Sequence, residues 1–158
     1  MKLTAKTDIE VPASFVFATL VDHPSWEREA VRNGAEVDRP EGTPATGLGA
    51  AWRVRGHFKG KPRKVFLKIV EFVVDQRIVL SIDSPTIEGS ARFEVMVLSP
   101  RRSRLRVDLE IKPKTLAARL FINTMRLAKG RVQAKFETRL GLMGGRIKDR
   151  YERSQVQA

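Results

Sequence analysis

Residues 104–113, RLRVDLEIKP, decide the fold class of this chain because a strand pattern ends in them and a helix pattern begins directly after them. Every second residue from Leu105 to Ile111 is apolar, and the residues between are charged. This period of two predicts a strand with one buried face. After Pro113 the apolar residues recur at steps near three and four, which is typical of a helix. We therefore predict a strand that leads into a long C-terminal helix.

The C-terminal helix is predicted as one element, with a bend at a glycine as the alternative. Its apolar positions are Leu116, Leu120, Leu127, Val132, Phe136, Leu140, Met143, Ile147 and Tyr151. Phe121, Ile122 and Met125 widen the apolar side, so we expect the first half to be the more deeply buried. At 1.5 Å per residue the helix would be about 55 Å long, against about 40 Å for a compact domain of this size. Its end should therefore overhang or contact a partner.

Upstream of residue 104 the same alternation predicts further strands with short connections. The segments with this pattern are 2–10, 49–58, 64–74, 78–82 and 88–97, with a weaker candidate at 35–39. Such a series indicates an antiparallel meander with one solvated face. Two short helices are predicted after the first strand, at 13–21 and 25–30, because Pro12 suits a helix start and Pro24 interrupts the pattern.

This order of elements, with five local motifs, resembles a known family. The motifs are Ile9–Ala13, Phe15–Phe17, Asp22–Trp26, Gly47–Trp52 and Ile111–Lys114. The chain resembles the START-like SRPBCC superfamily, the polyketide cyclase/dehydrase and lipid-transport group with the helix-grip fold. The resemblance covers residues 1–158 as a single domain. It implies an α+β fold in which a curved antiparallel sheet of six to seven strands wraps around a long C-terminal helix and leaves a cavity between them.

A cavity of this kind implies binding, carriage or chemical conversion of an apolar small molecule or lipid. Large aromatic side chains are typical walls for such a ligand. The residues predicted to line the cavity are Trp26, Trp52, Phe58, Phe93, Phe121 and Met125. Packing in the core is the alternative role for the two tryptophans.

Catalytic and cofactor chemistry finds little support in the sequence. The 158 residues include no cysteine, which excludes disulfides, thiolate catalysis and zinc-thiolate sites. His23 and His57 lack metal-ligand spacing and are not expected to be catalytic. The family resemblance implies an alternative role for His23 as a polar group at the cavity mouth. Glycine-rich phosphate loops after a strand are absent, so no metal and no cofactor are predicted. Three strand carboxylates, Glu71, Asp83 and Asp108, are expected at outer or rim positions rather than in the cavity.

We therefore expect a binding or carrier protein that is not an enzyme. A cavity enzyme of the polyketide cyclase or hydrolase kind is the first alternative, and a co-chaperone-like or other protein-binding module is the second. The N-terminus lacks the apolar stretch of a signal peptide, and no segment reaches the roughly 18 apolar residues of a membrane span. The expected location is the cytoplasm.

Positive charge is concentrated near the C-terminus. Residues 112–158 contain twelve basic and three acidic side chains, within a net charge of +12 for the whole chain. A common helical face is predicted for Lys135, Arg139, Arg146, Arg150 and Arg153. This face would attract an anionic membrane surface, and a solvated surface without a partner is the alternative. Nucleic acid is a less favoured partner because no known binding module is present. A homodimer that buries the face is a further alternative.

Overall fold

The computed structural model describes residues 1–58 and 60–157. Within these described residues the chain forms seven strands and four helices in the predicted order. They are β1 (Lys2–Ile9), α1 (Ala13–Leu20), α2 (His23–Arg32), β2 (Glu36–Asp38), β3 (Ala51–Phe58), β4 (Lys61–Val73), β5 (Arg77–Asp83), β6 (Ile87–Ser99), β7 (Arg102–Pro113), α3 (Leu116–Leu127) and α4 (Lys129–Val156). The α+β class, the two short helices after β1 and the long C-terminal helix are confirmed.

The strands form one antiparallel sheet in the order β1-β7-β6-β5-β4-β3-β2. Among the described strands, only the pairing of β1 with β7 joins strands distant in sequence, and it places Leu3 opposite Leu109 and Ala5 opposite Val107. The alternating apolar residues of the sequence therefore share the inner face of the sheet. A Cβ atom on Gly89 of β6 would collide with the backbone of Glu110, so the close approach of β6 and β7 requires glycine there.

The core lies between the inner face of the sheet, α1 and the second half of α4. Its fully buried side chains include Trp52, Ile69 and Leu105. Helix α4 packs mainly against β1, where Gly144 faces Thr7 and Ile9. A Cβ atom on Gly144 would lie 3.2 Å from Thr7 Cγ2, so the absence of a side chain sets how closely α4 approaches β1.

The prediction of one continuous C-terminal helix is wrong. The helix is interrupted at Ala128, whose φ of −106° and ψ of 28° depart from helical values. The predicted apolar positions contain a step of five residues, from Leu127 to Val132. At about 100° per residue, a step of five residues places the second side chain about 140° away from the first around the helix axis. The leucines before the step therefore cannot share a face with the apolar residues after it.

The expectation that the first half of this helix is the more deeply buried is also wrong. In α3, Leu116, Leu120 and Leu127 are exposed, and Ile122 is the buried residue. In α4, by contrast, Leu140 and Ile147 are buried in the core. The 28 residues of α4 span about 42 Å.

Ion pairs tie α4 to the N-terminal third of the chain. Arg150 donates to Asp22 at 2.6 Å, Arg146 to Glu29 at 2.9 Å, and Lys148 lies 3.3 Å from Glu10. The hydrogen bond from Arg150 also lowers the pKa of Asp22. Two of the five members of the predicted basic face on α4, Arg146 and Arg150, thus form ion pairs within the chain, and the attraction of this face to an anionic surface stays a prediction.

Candidate functional site

The inner face of the sheet presents apolar side chains that keep part of their surface accessible. Helix α4 lies mainly against β1, α3 against β7, and α1 against β6 and β7, so β3 to β5 are less covered. The partly buried apolar residues on this face include Val54, Leu67, Leu80, Ile82, Phe93 and Leu109. The register places them on one side of the sheet, opposite one another or opposite other inner-face residues. We call the surface formed by these six residues the inner cleft.

A group of aromatic and charged side chains borders the inner cleft at β3. Trp52 is fully buried, and its indole Nε1 donates to Glu27 Oε1 at 2.7 Å. The guanidinium carbon of Arg39 lies 4.6 Å from the centroid of the Trp52 ring, a cation–π distance. The ring centroids of Trp26 and Trp52 are 4.9 Å apart. We call these residues, together with His23, the Trp–His cluster.

Local sequence explains how the Trp–His cluster assembles. His23, Trp26 and Glu27 stand at positions i, i+3 and i+4 of α2, a spacing that places them on one side of a helix. Trp52 lies on the inner face of β3 opposite Leu67. Arg39 follows β2, and two backbone carbonyls of the next loop accept hydrogen bonds from its guanidinium at 2.7 Å.

His23 is buried, and only one of its two ring nitrogens has a hydrogen-bond partner among the described residues. Its Nδ1 accepts a hydrogen bond from Trp26 Nε1 at 3.2 Å, so the proton of the neutral ring resides on Nε2. Nε2 is sealed from solvent and has no hydrogen-bond partner among the described residues. Burial lowers the pKa of His23, and the nearby charge of Arg39 lowers it further. At neutral pH His23 is therefore an uncharged donor within an aromatic environment.

Comparison with solved structures identifies the architecture. A START superfamily protein from Mycobacterium smegmatis is similar with a TM-score of 0.56 and 13% identity, over 87% of this chain and 97% of that chain. The Zhui aromatase/cyclase from Streptomyces sp. R1128 is similar with a TM-score of 0.58 and 15% identity, over 73% of this chain and 69% of that chain. PFC0360w, an HSP90 activator from Plasmodium falciparum, is similar with a TM-score of 0.52 and 16% identity, over 73% of this chain and 76% of that chain.

The fold is START-like. At 13–16% identity these likenesses show the fold alone. No protein-family model and no curated protein matches the sequence. The resemblance drawn from the local motifs is thus confirmed for the fold of this chain, including the curved sheet and the long C-terminal helix.

Within the START-like fold the predicted cavity residues occupy different environments. Trp26 and Trp52 lie together in the Trp–His cluster, and Phe93 lies in the inner cleft. Phe58 is 54% exposed at the end of β3, and Phe121 is 39% exposed on α3. Met125 is partly buried on the side of α3 that faces the protein. That these six residues contact a ligand stays a prediction.

Sequence reasoning missed Glu27 and Arg39 as members of the site. Glu27 directly follows Trp26 in α2, so the sequence alone shows that it neighbours an aromatic residue. Its hydrogen bond to Trp52 joins residues 25 positions apart, and no spacing rule reports such a contact. The stacking of Arg39 on Trp52 likewise depends on the tertiary structure.

The three strand carboxylates lie outside the inner cleft. A bulge in β4 between Ile69 and Glu71 turns Glu71 to the outer face, where Arg77 donates to it at 2.7 Å. Asp83 accepts from Lys114 at 2.8 Å. Asp108 accepts from Thr4 at 2.7 Å and also pairs with Arg106. The expected outer positions of these carboxylates are therefore observed.

Two shallow surface pockets lie elsewhere on the START-like fold. One, of about 400 Å³, is lined by residues at the end of α4, including Asp149 and Arg153. The other, of about 460 Å³, lies between β1, β7 and α4 and includes Thr4 and Glu137. Neither is lined by any of the six predicted cavity residues. The described residues also contain no group of three or more histidine or carboxylate side chains placed to hold a metal ion.

Proposed function

We propose that this protein binds an apolar small molecule or lipid in the inner cleft. One observation supports the proposal above all others: six apolar side chains on the inner face of a START-like sheet keep part of their surface accessible. Removal of apolar area from water is favourable by about 25 cal/mol per Å², and the part that exceeds the costs of association contributes to affinity. A ligand that covers these side chains would therefore gain affinity without any rearrangement of the sheet.

The Trp–His cluster supports the same proposal as a rigid wall of the site. Trp52 is held by Glu27 on its edge and by Arg39 on its face. Trp52 has no accessible surface itself, so its role is to hold the wall rigid, and the partly accessible ring of Trp26 packs against it. The unpartnered Nε2 of His23 is inaccessible in this structure, so it would donate to a ligand's carbonyl or hydroxyl oxygen only after a local movement that exposes it.

Binding is favoured over catalysis by the positions of the carboxylates. General acid–base chemistry requires a titratable group within reach of the ligand. Glu71, Asp83 and Asp108 are engaged in ion pairs on the outer face instead. A cyclase-like activity would therefore depend on His23 or Glu27 of the Trp–His cluster, and we propose it only as the alternative that the aromatase/cyclase neighbour suggests.

Native mass spectrometry of the protein purified from its own host tests the proposed function. The expected spectrum contains a second mass corresponding to one bound apolar molecule, which organic extraction removes. Protein that is free of ligand should then take up one equivalent of a fluorescent fatty acid. A folded protein that neither retains a molecule nor takes up the fatty acid would overturn the proposal.

A further inference from the structure

Helix α3 presents a row of leucines to solvent. Leu116, Leu120 and Leu127 are 73%, 59% and 91% exposed. At about 100° per residue their side chains lie within about 40° of one another around the helix axis. Ile122, on the opposite side of the helix, is 4% exposed. We call the row of Leu116, Leu120 and Leu127 the leucine row.

The leucine row lies in the most positively charged segment of the chain. Residues 111–136 contain seven basic side chains and no acidic one. Arg119 and Arg126 stand along one edge of the row, about 60 to 120° from the leucines, and Lys129 and Arg131 begin α4. Within residues 1–58 and 60–157, none of these four side chains forms an ion pair with a carboxylate. Their charge is available to an external partner.

Helix α3 is formed without a partner on this side. Thr115 caps its first turn, with the hydroxyl oxygen accepting from the Ala118 amide at 3.1 Å. Ile122 and Met125 attach it to the protein by the opposite face. The leucine row is thus displayed on a folded helix, and binding would not have to overcome the cost of forming the helix.

We propose that the leucine row docks α3 onto an anionic lipid bilayer. The leucines would enter the boundary between headgroups and acyl chains, and the four basic residues would contact lipid phosphates. Helices with one apolar side and basic flanks lie in the plane of a membrane interface in this way. The described helices include none long and apolar enough to cross a membrane, so the contact is with one surface of the bilayer.

Charge and chemistry favour this occupant over the others. A second copy of the chain, packed by the same row, would bring two segments of seven basic residues together. Nucleic acid would satisfy the basic residues but would leave the leucines without an apolar partner. An anionic bilayer complements both features. The docking does not depend on the proposed ligand, since the leucine row and the inner cleft have no residue in common.

Vesicle co-sedimentation tests the docking. Wild-type protein should bind vesicles of phosphatidylcholine and phosphatidylglycerol at 7:3 at least tenfold more tightly than vesicles of phosphatidylcholine alone. High salt should weaken the binding because it screens the basic residues. The double variant Leu120→Ser, Leu127→Ser should lose at least tenfold in affinity. Leu142→Ser is the matched control, since Leu142 is 60% exposed on α4 and Leu120 is 59% exposed on α3.

Several outcomes would overturn the docking proposal. Wild-type protein that leaves anionic vesicles unbound at low salt would do so, as would a double variant that binds like the Leu142→Ser control. Sedimentation velocity without lipid provides a further check: a wild-type dimer that the double variant converts to monomer would assign the leucine row to a second copy. Leu80→Gln, which alters the inner cleft and not the leucine row, should bind vesicles like wild type. A failure of the ligand proposal can therefore be distinguished from a failure of the docking proposal.

Discussion

At the scale of single residues, protonation of the buried His23 side chain makes the stability of the folded protein depend on pH. Its folded-state pKa is lowered from the ordinary value of 6.5, first by burial and then by Arg39, against smaller opposing effects of Glu27 and Asp22. The unfolded chain therefore binds the proton more readily than the folded protein. The stabilisation from neutral His23 is fully present above about pH 6.5 and is lost as the pH falls from there toward the folded-state pKa.

We accordingly expect the free energy of unfolding to decrease from pH 8 to pH 5. His23→Gln should flatten this decrease, whatever its effect on absolute stability. His57→Gln, at an exposed position of β3, is the control for the loss of an imidazole side chain. Urea denaturation at several pH values measures both slopes. Equal slopes in wild type and His23→Gln would show that His23 does not titrate as described.

The same cluster shows what sequence can predict for individual residues. Trp26 and Trp52 were predicted as cavity residues because large aromatic side chains are typical walls of an apolar pocket, and their contact with a ligand stays a prediction. Glu27 and Arg39 were not, because a charged residue on a short helix or after a short strand is ordinarily solvated. Their contacts to Trp52 depend on how α2 and the loop after β2 cross the sheet.

At the scale of elements, the packing of α4 on β1 depends on one glycine. Gly144 is buried against Thr7 and Ile9, whereas the adjacent Gly145 is exposed and has open space around it. Gly144→Leu should destabilise the protein by about 1–3 kcal/mol or more, as overpacking does. Gly145→Ala should stabilise it by up to about 1 kcal/mol through helix propensity. Thermal unfolding measures both, and a tolerated Gly144→Leu would mean that α4 does not pack as described.

The C-terminal helices show where pattern reasoning failed. The apolar residues from Leu116 to Tyr151 appear as one series when steps near three and four are accepted, but the step from Leu127 to Val132 is five. That step separates a row that faces solvent from one that faces the core. The burial of Leu140 and Ile147 was predictable from the helical period alone. The exposure of the leucine row was not, because an apolar row is ordinarily buried.

At the scale of the whole molecule, most of the architecture could be predicted. Alternation in six segments, separated by turn residues, predicts an antiparallel meander, and the local motifs add the START-like arrangement. The extent of the inner cleft could not be predicted in the same way. It depends on which strands α3 and α4 cover, and that is decided by the break at Ala128 and by the contact of Gly144 with β1.

It stays a prediction that the ligand is a lipid, that the protein forms a homodimer and that it is located in the cytoplasm.

The central claim is that the inner cleft binds a ligand. Two neighbouring residues of β5 allow a matched test of it. Leu80 faces the inner cleft and Val79 faces the outer side, and both are partly buried. Each is changed to glutamine, so the two variants differ mainly in which face of the sheet receives the amide group.

The deciding measurement is the dissociation constant of a fluorescent fatty acid for wild type, Leu80→Gln and Val79→Gln, each first shown to be folded by circular dichroism. We predict that Leu80→Gln weakens binding at least about fivefold, equivalent to about 1 kcal/mol, because the amide replaces apolar contact surface. Val79→Gln should stay within about twofold of wild type. Equal affinities for the two folded variants, or no binding by folded wild type, would contradict the assignment of the inner cleft as the ligand site.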